Sequence, residues 1–327
     1  LTTLFMGLQI AANHPQMTYY LFLALGFLFF SELVRAVQGK TDWKHFGISS
    51  GVLAVAFLLG VGMNSQRIMA NSEYVSETVR GKKILDNRDH SSEKSGMDNE
   101  SILMWSYGKL ETLNLFIPRL MGGSSNEEGS DRVMNRVQEM VQSNVSSQEE
   151  MNQISKGFGS LTYWGDQPGT SGPAYQGAIV CFLALLCFFF AWKKYRYWIL
   201  GASILTVLLS WGSNFMILSD FFIDYIPFYN KFRAPSSILV VVELLFPLIA
   251  IVGLYRFFNS NENTETSAEN ILTEDYKKKI LTFVSASVLG VTLLLFLSAQ
   301  IVKLGLYTFA YNDFLGLGFH TATEKTY

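Results

Sequence analysis

Long uncharged apolar runs constrain this chain more than any other feature. Six stretches approach or exceed the length that a helix needs to cross a bilayer: Met17 to Val37, Phe46 to Met63, Tyr175 to Trp192, Tyr197 to Leu218, Ser236 to Phe258 and Ile280 to Val302. About 20 predominantly apolar residues are needed for a crossing. A seventh run, Leu1 to Ala12, reads as the end of a helix that starts upstream. The runs are apolar on all faces, as burial in lipid and protein requires. They are also too long and continuous for barrel strands. Charge is segregated between the runs. Charged residues make up 16% of the 327, against about a quarter in an ordinary soluble domain. The expected fold class is therefore all-α, a polytopic transmembrane helix bundle with a long extracytoplasmic loop region.

Short-loop positive charge orients such a bundle. Arg35, Lys40 and Lys44 follow the Met17 run, Lys193, Lys194 and Arg196 join two spans, and Arg256 with Lys277, Lys278 and Lys279 flank another connection. All three connections fall on one side if every run crosses once, and that side reads as cytoplasmic. The expected organisation is 1–63 as transmembrane helices, the first partial, then 64–174 as an extracytoplasmic region. Four further transmembrane helices follow over 175–302, with an outer loop at 219–235, and 303–327 is a truncated outer tail. Within the long loop, 132–142 has a weak helical pattern. The flanking Ser-, Asn- and Glu-rich stretches read as solvated loop. Because the chain begins at Leu1 inside an apolar run, it reads as a fragment lacking its N-terminal part.

Several chemistries have no footprint. The net charge of −2 gives no sign of nucleic acid. Cys181 and Cys187 share one apolar run and His14, His45, His90 and His320 are scattered, so neither a disulfide framework nor a metal site is expected. No phosphate loop, dinucleotide fingerprint or nucleophile elbow occurs, and no cofactor is expected.

The candidate site residues lie on the outer connections. His14 and Gln16 sit in the turn Asn13-His14-Pro15-Gln16, where they can bind a sugar or phosphate or simply shape a proline-induced helix boundary. Arg80, with Lys82 and Lys83, can hold a lipid phosphate or form a solvated helix end. Trp105-Ser106-Tyr107-Gly108, with Glu111 beyond, reads as a sugar-stacking surface or an interfacial anchor. Trp164, Asp166 and Gln167 lie in a turn rich in Gly, Asp and Pro, suited to sugar hydroxyls or to turn geometry alone. Arg233, in Lys231-Phe232-Arg233-Ala234-Pro235, can grip an anionic headgroup bidentately or snorkel. Glu243 is an intramembrane carboxylate, by default a functional-site candidate, with no partner visible in sequence.

Five stretches, in order, resemble the bacterial YfhO-like membrane protein family: Gly7 to Tyr20 (GLQIAANHPQMTYY), Tyr74 to Lys82 (YVSETVRGK), Trp105 to Gly123 (WSYGKLETLNLFIPRLMGG), Tyr163 to Gly177 (YWGDQPGTSGPAYQG) and Asn230 to Pro235 (NKFRAP). The family is similar to C-type glycosyltransferases. The resemblance implies sugar transfer from a polyprenyl-phosphate donor to an extracytoplasmic cell-envelope glycan or polymer, in the bacterial cytoplasmic membrane. It implies an acidic catalytic residue, the principal base, in a first outer loop expected upstream of Leu1, so the catalytic residue here is unknown. The very polar 124–155 region has no counterpart in the family. The implied partners are membrane lipids, the lipid-linked sugar and the acceptor polymer. The rival expectations are a transporter or flippase of lipid-linked precursors and a non-catalytic envelope-assembly scaffold.

Overall fold

The computed structural model describes residues 1–78, 97–125, 163, 165–172, 174–259, 272–294 and 296–297. Arg80, Trp164, the 132–142 pattern, nearly all of the 124–155 region and the 303–327 tail lie outside the described residues. The described chain is helical, with one isolated antiparallel bridge, Gly122 to Tyr163, as its only β pairing.

The helices in order are α1 (Thr2–Ala11), α2 (Pro15–Val37), α3 (Trp43–Met63), α4 (Ser65–Ser76), α5 (Asn99–Leu103), α6 (Ala178–Phe190), α7 (Lys193–Ser210), α8 (Met216–Tyr225) and α9 (Val240–Phe258). A further helix, α10, covers 274–294. Three are long and apolar enough to cross a membrane: Pro15–Val37, Trp43–Met63 and Pro235–Phe258, the last extended by a 3-10 turn ahead of α9. Lys193–Ser210 and Gly212–Tyr225 together are long and apolar enough for a fourth, broken span, bent by 114° between them. The expected continuous span Tyr197 to Leu218 is thus broken. Gly212 takes the left-handed φ of 45° at the break, a backbone state that glycine reaches without a Cβ clash. The Tyr175 to Trp192 run is helical only over Ala178–Phe190.

The contacts divide the chain into Leu1–Leu254 and a second unit from Tyr255 onward. In the first, α2, α7, α8 and α9 close on one core that includes Tyr20, Trp198, Leu209, Phe222, Ile238 and Leu245. Apolar side chains gain little from leaving lipid for protein, so close backbone approach and hydrogen bonds must hold such helices together. Glycine provides the approach. A Cβ on Gly60 of α3 would stand 2.9 Å from Met6 of α1, and one on Gly201 of α7 would stand 2.9 Å from Phe27 of α2. Asn64 Nδ2 donates to the carbonyls of Gly7 and Gly60, each at 3.0 Å, pinning α1 to the end of α3. In the second unit Lys277 Nζ pairs with Glu274 at 2.8 Å and lies over the Phe257 ring.

A seam of loops on the broken helix

Among the described residues, polar side chains gather where the loop 104–125 meets the break between α7 and α8. Helix ends leave backbone groups unpaired, and this break offers several. Tyr107 N–H donates to the Ser210 carbonyl at 2.8 Å, capping the end of α7. Ser106 Oγ accepts from Ser213 N–H at 2.8 Å, and Asn214 Nδ2 donates to the Tyr107 carbonyl at 3.0 Å. Ser219 Oγ donates to the Gly212 carbonyl at 2.7 Å, and Trp211 Nε1 to Thr112 Oγ1 at 2.8 Å. The Trp105-Ser106-Tyr107-Gly108 segment therefore stands in for the helical hydrogen bonds that the bend removes.

Glu111 is the buried centre of this seam, at 1% exposure. Its carboxylate accepts from Tyr163 Oη at 2.5 Å, Gln167 Nε2 at 3.2 Å and Gly108 N–H at 2.9 Å. A buried carboxylate is tolerated only when donors replace water, and here three do. Burial pushes the Tyr163 hydroxyl pKa well above its ordinary value, and the Glu111 carboxylate reinforces the shift. Tyr107 is raised likewise, first by burial; the Asn114 side chain opposes that shift and Glu111 and Glu243 add to it.

Gln167 carries the seam onward. Its N–H donates to Tyr163 Oη at 3.2 Å, and its Oε1 accepts from Ser236 Oγ at 3.1 Å. Ser236 N–H in turn donates to the Trp105 carbonyl at 3.2 Å. Arg233, three residues earlier, is exposed, with its guanidinium 5.6 Å from the centre of the Trp105 ring. Among the described residues its guanidinium has no hydrogen-bond or ion-pair partner. Asp166, also exposed, accepts from Asn214 Nδ2 at 2.9 Å through Oδ2.

Gln16 joins from α2. Its Nε2 lies 2.6 Å from the Arg233 carbonyl, 2.9 Å from Ser237 Oγ and 2.8 Å from Tyr20 Oη. An amide nitrogen has two hydrogens for these three partners. Gln16 thus fixes the backbone of the Arg233 turn, where Ala234 adopts a left-handed φ of 58°. His14 is exposed and caps α2, Nδ1 accepting from Met17 N–H at 3.4 Å. Asn13 beside it, at φ 57°, accepts from Asn71 Nδ2 of α4 at 2.7 Å.

The structure therefore brings Gln16, Asp166, Gln167 and Arg233 onto one connected polar seam, with Trp105 beneath Arg233. Arg80 and Trp164 lie outside the described residues. Glu243 is exposed on α9, its backbone carbonyl accepting from Gln176 Nε2 at 3.1 Å. Sequence reasoning passed over Asn214 and Ser236 as seam members, and nothing in their local sequence distinguishes them; Tyr163 lay at the start of the Trp164 to Gln167 turn but was not itself a candidate. Glu111 had a signal: it is the lone acid in the apolar and aromatic stretch from Trp105 to Phe116.

The class defined by the fold is an all-helical protein with helices fit to cross a membrane. No family model, no curated protein and no solved structure matches the chain.

Proposed function

We propose that the chain is part of a multi-pass bacterial membrane protein of the YfhO-like, C-type glycosyltransferase kind. It would use a polyprenyl-phosphate sugar at the outer face of the cytoplasmic membrane, with an extracytoplasmic glycan or polymer as acceptor. The observation that carries this reading is the pairing of Arg233 with Trp105 beside Asp166 and Gln167. A guanidinium with no hydrogen-bond or ion-pair partner among the described residues can bind a phosphate bidentately. An aromatic ring with neighbouring carboxylate and amide groups suits sugar recognition. Sugar transfer needs cations to stabilise the departing phosphate and a base to deprotonate the acceptor. Arg233 fits the first role. The base is not assigned to any residue of this chain.

Arg233→Lys in the full-length protein is expected to weaken donor use about tenfold or more, because lysine cannot reproduce the two-pronged contact. Expression and insertion should stay unchanged. Unaltered transfer across donor concentrations would remove Arg233 from the site. Reporter fusions test the sidedness: Gln167 and Lys231 outside, Lys194 and Lys278 inside. A second reading, a transporter or flippase of lipid-linked precursors, draws support from the 114° break, because transporters build sites at interrupted helices. Lipid-linked sugar crossing vesicles without any transfer would favour it.

A further inference from the structure

We propose that α8 is an in-plane membrane helix whose Ile217-Phe221-Tyr225 stripe lies in the lipid headgroup and upper acyl layer. The proposal rests on α7 crossing the bilayer and is independent of sugar transfer.

The first support is position. With 18 residues, α7 spans about 27 Å, close to the roughly 30 Å hydrocarbon core. Trp192, Tyr195, Tyr197 and Trp198 crowd its beginning together with Lys193, Lys194 and Arg196, and Trp211 directly follows its end. Aromatic and basic residues gather at membrane–water boundaries. The break after Ser210 therefore falls at the opposite boundary, and a 114° bend there carries α8 past perpendicular to α7. A helix leaving a span at that angle runs along the surface.

The second support is the division of α8 into three faces. Ser219 and Phe222 are buried, and Leu218 and Ile223 pack on the same core. Ile217, Phe221 and Tyr225 recur every four residues along a second face, at 82%, 49% and 74% exposure. Phe228, just beyond the helix, is 69% exposed. Asp220 and Asp224 recur along the third. At 3.6 residues per turn the apolar stripe lies between the core face and the acidic face. Lipid beneath, protein beside and water above is the environment that such a three-sided helix fits. The acidic edge favours a zwitterionic headgroup layer over an anionic one. Asn214, two residues before α8, holds Asp166, so the depth of α8 in the membrane would also set the height of the polar seam.

The test uses nitroxide labels on single cysteines at 217, 221, 225, 220 and 224 in the full chain, reconstituted into phosphatidylcholine vesicles. Ile251→Cys, on the exposed face of α9, provides a mid-span reference. The native Cys181 and Cys187 are buried at 0% exposure and stay unlabelled. Relaxation by oxygen and by a water-soluble nickel chelate reads the surroundings of each label. The expected ratio of oxygen to nickel accessibility is several-fold higher at 217, 221 and 225 than at 220 and 224, and below that at 251. Ile217→Cys and Tyr225→Cys replace mostly exposed side chains, so the result does not hang on Phe221. Nickel access at 217 equal to that at 220 would overturn the proposal in favour of open water. Protection of 217, 221 and 225 from both reagents would overturn it in favour of a protein partner or a second copy. Ratios at 220 and 224 matching 251 would overturn it in favour of a re-entrant segment.

Discussion

The α1–α3 pair and the loop seam on the α7–α8 break are assembled by opposite means. Only 11% of the apolar window of α3 is buried within the molecule, and close approach at small residues, with Asn64 pinning its end, holds α1 against it. The seam is held by hydrogen bonds that converge on a buried carboxylate and on the carbonyls and N–H groups that a broken helix releases. The difference follows from solvent. A lipid-facing helix satisfies its own backbone, and its side chains need no specific neighbour. A broken helix must find partners for the groups it releases, and those partners are specific.

The largest expected effect comes from Glu111. Glu111→Ala strands three donors at once, and each buried unpaired polar group costs about 1–3 kcal/mol. Unfolding in detergent should show a loss of at least ~3 kcal/mol, while Glu111→Gln, which keeps an acceptor oxygen, should lose less. Equal and small losses for both would mean that the seam is not held through this carboxylate. Gly253→Leu should rank next. A Cβ at Gly253 would overlap the backbone of Cys187, and forced overpacking of this kind costs about 1–3 kcal/mol. Gly51→Leu in α3 is its counterpart: a Cβ there meets nothing within 4 Å, so the same measurement should show almost no change. A comparable penalty at Gly51 would break the contrast between the open face of α3 and the tight packing of α9 on α6.

The smallest effect is spectroscopic. Since the Tyr163 pKa is raised in the fold, the folded state keeps a proton that the unfolded chain loses near pH 10. Its contribution to stability is complete below the unfolded pKa and declines as pH rises above it. Up to about pH 11, the phenolate absorbance of Tyr163→Phe should match that of the parent, because Tyr163 is not yet ionised there. A lower amplitude in the variant would show Tyr163 titrating as an ordinary tyrosine, and the seam open to water.

The apolar runs over Met17 to Val37, Phe46 to Met63 and Ser236 to Phe258 stand in the structure as helices long enough to cross a membrane, because length and hydropathy are local properties of the chain. The run Tyr197 to Leu218 looked equally continuous and is not. Hydropathy does not register a left-handed glycine at 212, nor the Ser106 and Tyr107 groups, more than 100 residues earlier, that compensate the break. Gln16, Asp166, Gln167 and Arg233 were legible as polar groups at helix boundaries. Their connection through Glu111, Ser236 and Asn214 was not. Hydrogen bonds between residues some 50 to 220 positions apart leave no periodicity in sequence. Hydrophobicity marked the segments that could be helices fit for a membrane; three of them are, while Tyr175 to Trp192 is helical only over Ala178–Phe190. Only tertiary packing decided which one breaks, and which distant polar groups meet at the break, because an unpaired backbone group must be satisfied by whatever the fold brings within 3 Å of it.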